Sequence, residues 1–437
     1  MKYVIIGAGP CGLAMAKALK EAKISYDHIE ADKELGGNWL HGVYKTVYTD
    51  TCKDVMQYGD FPMPDNFPDF LSQANMLEYL NQYSTAYGLK EQIKFGTKVI
   101  WIEAIEANLW KVHFDKGDPE IYKGVIICNG HHWDRKHPDL PGQFTGEYLH
   151  AKNYKDPSQL KNKKVLIIGS GNSAADIACE AARVADLSVM SFNDSPWIFP
   201  KSFMGIPLGR IKVKSFLGFL SPVFIKLLIR ISFGKHSYYN LDAPKHKPFD
   251  KHPTISEELP YYLKHGRISV KKGIKDISEK IVRFTDESSD EFDLIVAATG
   301  YKLSFPFLPD SLIRTEGQNL RCIGHCVYPD YKGLYFMGWQ QIRGGVGSLA
   351  SAFSNVIVDL ISTEEESGLP AGLILQAMNN KISSTNLYGS KEIYSWIKKH
   401  NAKSMAKISN RIKSKYVHNN MPTVETNPNN NLSITVF

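Results

Sequence analysis

Residues 7–12 read Gly7-Ala8-Gly9-Pro10-Cys11-Gly12, and residues 169–174 read Gly169-Ser170-Gly171-Asn172-Ser173-Ala174. Each cluster follows a short apolar run, Tyr3 to Ile6 and Val165 to Ile168, and opens an alanine-rich stretch of helical character. A strand, a glycine turn and a helix in that order suit the pyrophosphate of a dinucleotide. The first glycine makes the tight turn, the second lets the backbone approach the phosphates, and a third Gly or a small Ala packs helix against strand. The N-terminus of each helix then turns free N–H groups and a positive dipole end to the anion. Two such sites in one chain point to electrons passing between two nucleotide cofactors. Glu30 ends a second predicted strand, Ser25 to Ile29, at about the 20-residue spacing where a carboxylate accepts from ribose hydroxyls. It also repels a 2′-phosphate, so the first site is expected to take FAD or NAD rather than NADP.

The elements that must hold these turns are readable from apolar runs. Val125 to Cys128, Leu294 to Ala298 and Leu334 to Met337 read as buried strands, and Gly344-Gly345-Val346-Gly347 leads into a helix over Ser348 to Ile361. Alternation over Lys98 to Ala104 and Trp110 to Phe114 predicts a small antiparallel sheet, and Phe61-Pro62-Met63-Pro64 a stiff extended segment. The expected fold class is α/β, with two Rossmann-like dinucleotide-binding domains, the second inserted in the first. The first would cover residues 1–155 and 302–437, the second 156–301, and the Asn-rich tail from His418 is expected to be disordered. Phe216 to Phe233 is apolar but interrupted by Pro222, Lys226 and Arg230, too short and too charged for a membrane span. It reads as a lid or buried helix, with an interfacial helix that permits peripheral membrane contact as the alternative.

Composition narrows the class. The 437 residues carry 52 Lys and Arg against 45 Asp and Glu, a formal +7, which is an ordinary solvated surface, and no basic stretch interleaved with aromatics points to nucleic acid. Six Cys show no disulfide framework and no paired zinc-type spacing, so no metal is expected. Met1-Lys2 leads directly into the first strand, so no signal peptide is read and a reducing cytoplasm is expected.

The segment joining the two glycine turns runs Phe144-Thr145-Gly146-Glu147-Tyr148-Leu149-His150-Ala151-Lys152-Asn153-Tyr154. It resembles the FxGxxxHxxxY signature of the flavin-containing monooxygenases. Gly36-Gly37-Asn38-Trp39, Thr49-Asp50-Thr51-Cys52-Lys53, Gly130-His131-His132 and Ala298-Thr299-Gly300-Tyr301 also fall in that family's order, and the likeness spans roughly residues 1 to 360. The resemblance implies that Gly7, Gly9, Pro10, Cys11, Gly12, Glu30, Gly37, Asn38, Trp39 and Thr51 hold FAD. Gly169, Gly171, Asn172, Ser173, Ala174, Asn193 and Asp194 would hold NADPH, with NADH as an accepted alternative, and Gln341 would be a further cofactor contact. It implies hydride transfer from nicotinamide to flavin, O2 capture as a C4a-hydroperoxyflavin, and oxygen transfer to a soft nucleophile, an amine nitrogen or a sulfide sulfur. His150 and Tyr154 look architectural. Partners would be that small molecule and O2; oligomeric state stays open, a homodimer being one assembly.

Two departures stand out. Asp50 occupies a position where the family usually has Asn; a carboxylate only accepts, whereas an amide also donates, which makes Asp50 the expected catalytic residue of interest. Asn193, four residues before Trp197, stands where the family commonly has Arg, and Asn193-Asp194 suits a 2′-phosphate poorly. Relaxed cofactor preference or use of NADH is therefore expected. A Baeyer–Villiger monooxygenase, a disulfide oxidoreductase and a non-catalytic redox sensor are the competing readings. Tyr154, where the Baeyer–Villiger enzymes usually have Trp, speaks against the first, and Cys52, which lacks a close partner, against the second.

Overall fold

The structure is a computed structural model that describes residues 1–105, 108–211, 221–317, 319–340, 345–378, 382–383 and 390–416. Ten parallel strands form two five-stranded sheets. In chain order they are β1 (Tyr3–Ile6), β2 (Tyr26–Ile29), β3 (Ile93–Lys94), β4 (Gly124–Ile127), β5 (Glu147–His150), β6 (Lys164–Ile168), β7 (Leu187–Ser191), β8 (Ser269–Lys271), β9 (Leu294–Ala297) and β10 (Leu334–Phe336). The first sheet runs β10-β4-β1-β2-β3 and the second β5-β9-β6-β7-β8. Both place the strand before the glycine turn at the centre, between its second and fourth strands. This is the switch point where α/β sheets bind nucleotides.

The continuous apolar runs follow from burial on both faces. Tyr3 and Ile5 of β1 enter one core with α1 (Pro10–Glu21) and α4 (Val346–Ser367), whereas Val4 and Ile6 enter another with Ile102 and Trp110. The second core set belongs to the expected antiparallel sheet, Val99–Ile105, Leu109–Phe114 and Glu120–Tyr122. In the second sheet, Val165 and Ile167 pack on the alanine face of α2 (Asn172–Val184), and Leu166 packs with Val282, Phe284 and Phe292. Each such side chain contributes about 1.5–3 kcal/mol on burial. Gly7 (φ +104°) and Gly169 (φ +134°) leave their strands in a conformation that side chains avoid. A Cβ there would stand 2.6 Å from Cys128 O and 2.3 Å from Ala298 O.

The linker signature belongs to the second sheet. β5 pairs in parallel with β9, His150 opposite Ala297, and Gly142–Phe144 pairs with Ile274–Glu279. The second unit therefore begins ahead of the expected boundary at 156, because the linker itself supplies the fifth strand. The chain crosses back at Tyr301–Lys302, which pairs antiparallel with Asp134–Arg135, and β10 rejoins the first sheet.

The apolar stretch near residue 216 forms α3 (Ser221–Phe233), with residues 216–220 outside the described set. It buries Leu228 and Ile229 and exposes Val223, Phe224, Leu227 and Ile231, so it is a half-covered roof helix rather than a buried one. Among the described residues, one helix, α4, is long and apolar enough to cross a membrane, and 56% of that stretch is buried inside the protein. The tail from His418 lies outside the described residues.

Candidate active site

Both glycine turns open into one cavity of about 1570 Å³, larger than the roughly 300–1,000 Å³ of an ordinary single-ligand pocket. From the first unit, Gly7, Gly9, Pro10, Cys11 and Glu30 line it, followed by Gly37, Asn38, Trp39, Asp50 and Thr51. From the second come Gly171, Asn172 and Ser173. Gly12 and Ala174 are buried behind the turns. Gly169 shapes its turn without lining the cavity, and Gln341 lies outside the described residues.

The first turn fits a dinucleotide diphosphate by its backbone. Gly9 and Gly37 face each other so closely that a Cβ on Gly37 would stand 3.0 Å from the Gly9 Cα. The α1 N-terminus has Pro at its first position and no side-chain cap, which leaves its N–H groups to a ligand. Glu30 is nearly buried at the end of β2 and accepts from the N–H of Ala8 (2.5 Å) and of Asp32 (2.9 Å). Each carboxylate oxygen keeps a second lone pair for a ribose hydroxyl. Burial holds the Glu30 carboxyl above the usual range against these two backbone bonds.

Asp50 touches the second turn directly. Asn172, the first residue of α2, donates from Nδ2 to Asp50 Oδ2, and its Oδ1 accepts from the Ile255 N–H at 2.8 Å, which fixes the amide orientation. Burial pushes the Asp50 carboxyl up to about 6, with the Lys201 ammonium and the Asn172 amide opposing. Lys201 itself turns to this loop and donates to Thr49 O at 3.3 Å. A second cross-unit contact runs parallel: Tyr44 donates to Asp176 Oδ2 at 2.5 Å, and burial raises the Asp176 carboxyl to about 6. Tyr154 is fully buried and donates to Glu180, which is also buried. His150 accepts from the Lys152 N–H at Nδ1 (3.1 Å), which leaves Nε2 to donate to Gly300 O (3.2 Å). Burial lowers its pKa, so the ring is a neutral tie across the end of β9.

Asn193 and Asp194 are exposed just past β7 and do not line the cavity. Asp194 is paired with Lys251 (3.2 Å) and Lys245 (3.9 Å). Tyr44, Asp176 and Lys152 escaped the sequence reading as site residues. Asp176 lies four residues past Asn172 on one helix face, the only spacing that signals it.

The flavin-binding monooxygenase-like family model matches residues 1–434. Flavin-containing monooxygenase 5 of Oryctolagus cuniculus is 31% identical over 341 residues, 71% of this chain and 64% of that protein. Dimethylaniline monooxygenase [N-oxide-forming] 2 of Mus musculus is 32% identical over 344 residues, 72% of this chain and 64% of that protein. The match thus spans a little under two thirds of these curated relatives. Among solved structures, S-allyl-L-cysteine S-oxygenase from Allium sativum superposes with a TM-score of 0.62 at 18% identity, covering 95% of this chain and 99% of that one. Cyclohexanone monooxygenase in its closed form reaches 0.69 at 15% identity, covering 95% and 97%; both share the fold. On the full-length family match, this chain belongs to the flavin-binding monooxygenase-like family.

Proposed function

We propose that this protein is an FAD- and NAD(P)H-dependent monooxygenase that oxygenates soft nucleophiles, an amine nitrogen or a sulfide sulfur. The observation that carries the reading is that the two glycine turns face one cavity and meet through Asp50 and Asn172. When bound, the flavin supplies the redox chemistry, accepting hydride from the nicotinamide and activating O2. The residues bind, orient and exclude. The α1 N-terminus takes the FAD diphosphate and Glu30 its ribose, while α2 with Asn172 and Ser173 takes the nicotinamide dinucleotide. Asp50 holds a proton below pH about 6 and is an acceptor above it, anchored by the Asn172 amide. Leu228, Leu349 and Phe353 give the cavity apolar walls that keep water from the reacting atoms. The FAD unit would comprise residues 1–155 and 302–437 less the linker strands, and the nicotinamide unit 156–301 with β5. Cytoplasmic location remains part of this reading.

A 2′-phosphate of NADPH that approached the end of β7 would meet the Asp194 carboxylate there. We therefore expect a preference for NADPH over NADH below about a hundredfold, some 2.7 kcal/mol. A second reading, Baeyer–Villiger oxidation of ketones, is favoured by one observation, the acidic Asp50 beside the second turn. Incubating the FAD-loaded protein and NADPH with a thioether, a tertiary amine and a cyclic ketone separates them. Sulfoxide or N-oxide is the expected product; ester from the ketone alone would replace the main reading with the second.

A further inference from the structure

Lys152 carries an ammonium that no carboxylate among the described residues neutralises. It is half-buried in the cavity wall, and its Nζ donates to two neutral acceptors, Asn38 Oδ1 (3.0 Å) and His132 O (2.9 Å). Its charged surroundings are the cations Lys155 and Arg135, with Asp32 a weaker, opposing influence. Those two cations also make only neutral contacts among the described residues: Lys155 donates to His41 O (2.6 Å) and Val43 O (3.4 Å), and Arg135 to Asn153 Oδ1 (2.8 Å). The Tyr301 ring lies 5.7 Å from the Lys152 Nζ. Burial and the neighbouring cations push the Lys152 ammonium down to about 8. A desolvated cation without a counter-charge is costly, and an anionic ligand in the adjoining cavity relieves that cost.

The position of the charge names the anion. Asn38 follows Gly37, which backs the Gly9 turn with its Cα 3.6 Å from where a Gly9 Cβ would stand. Through Asn38 and Gly37 the ammonium is thus joined to the first glycine turn, and all four residues line the same cavity. Gly42 keeps the route open: a Cβ there would stand 1.8 Å from Asn38 Oδ1 and 2.6 Å from the Lys152 Nζ. We propose that Lys152 is a diphosphate-binding residue of the first dinucleotide site, through which the linker between the two units supplies positive charge to the cofactor held by the Gly7–Gly12 turn. This rests on the reading that FAD occupies that turn. Asn38 holds the ammonium in place, and the short turn Ala151–Asn153 that follows β5 sets the position of residue 152.

The test uses the full chain stripped of flavin, titrated at pH 7 with FAD by flavin fluorescence and with ADP, adenosine and NADP+ by calorimetry. Lys152→Met is expected to raise the Kd for FAD and ADP about ten- to hundredfold, the range of a lost charge-assisted hydrogen bond. Adenosine, which lacks phosphate, should bind both proteins alike, and Lys152→Arg should restore most of the loss. The wild-type advantage should also shrink from pH 7 to 9 as the ammonium deprotonates, with Asp32, Arg135, Lys155, Tyr301 and His132 common to both proteins. Lys152→Gln, which keeps donors without charge, carries the same expectation if the methionine variant does not fold. Equal FAD affinity in wild type and variant overturns the proposal, as does an equal loss for adenosine, which marks a structural effect. A loss confined to NADP+ also overturns it, assigning the charge to the other dinucleotide. A wild-type protein that binds no FAD at all refutes instead the underlying reading of the site.

Discussion

Replacing Asp50 by Asn should make the protein more stable at high pH than at low pH relative to wild type. The carboxyl titrates at about 6 in the folded protein, against an ordinary value of 3.8, chiefly because it is buried. A folded pKa raised above the unfolded one gives stability that is fully present below about 3.8 and is lost as pH rises through about 6. The gap of about 2 units corresponds to roughly 3 kcal/mol at pH 8, an upper limit because Asp50 keeps some contact with the cavity. The amide introduced by Asp50→Asn retains an oxygen to accept from Asn172 and carries no charge, so the variant escapes this loss. Any constant offset between the side chains cancels, and the pH-dependent part of the difference should grow by about 2 kcal/mol between pH 4.5 and 8. With roughly 2.1 cal/mol/K per residue of unfolding entropy, about 0.9 kcal/mol/K for the 437 residues, that is about 2 °C in Tm. It would be about twice that if the half carrying Asp50 melts alone. Differential scanning calorimetry of both proteins across this range reads it directly. Glu364, raised to about 7 by burial, titrates in both proteins and drops out of the comparison, whereas Asp176, raised to about 6 by burial and further by the Asp50 charge, is relieved of that charge in the variant and adds to the same trend. A difference in Tm that stays flat, or that shrinks as pH rises, would refute the reasoning.

Asp194→Asn should raise the ratio of kcat/KM for NADPH over NADH by about five- to tenfold, because it frees Lys245 and Lys251 to meet a 2′-phosphate; steady-state nicotinamide oxidation measures it, and an unchanged or falling ratio removes Asp194 from the specificity argument. Tyr154→Phe strips the buried Glu180 carboxylate of its donor and should cost about 1.5–3 kcal/mol of stability while leaving kcat for nicotinamide oxidation within about twofold. A collapse of kcat at unchanged Tm would make Tyr154 catalytic rather than architectural.

Both glycine turns were legible because their requirements are local: a buried strand, a positive φ at Gly7 and Gly169, and a helix start within a dozen residues. The doubly wound architecture followed from the continuous apolar strands that such a turn demands on either side. The extent of the second unit did not follow, because β5 is an edge strand whose Glu147 and Tyr148 are exposed, and its pattern resembles a surface loop. The contacts that join the units were hidden for a different reason. Tyr44 with Asp176, Asp50 with Asn172 and Lys152 with Asn38 pair residues more than a hundred positions apart, and no local spacing encodes them. α3 combines a buried and an exposed apolar face, so its composition alone could not say that it roofs a cavity.

The central claim is that the two sites deliver electrons to O2 and one oxygen atom to a soft nucleophile. The direct measurement is mass spectrometry of a thioether turned over by the FAD-loaded protein with NADPH under 18O2, with NADPH consumption and hydrogen peroxide followed in parallel. The account predicts sulfoxide carrying one 18O, close to one per NADPH, with the second oxygen leaving as water and little peroxide. NADPH consumed with an equivalent of hydrogen peroxide and no labelled sulfoxide, amine oxide or ester would contradict it and leave an NADPH oxidase on a monooxygenase fold.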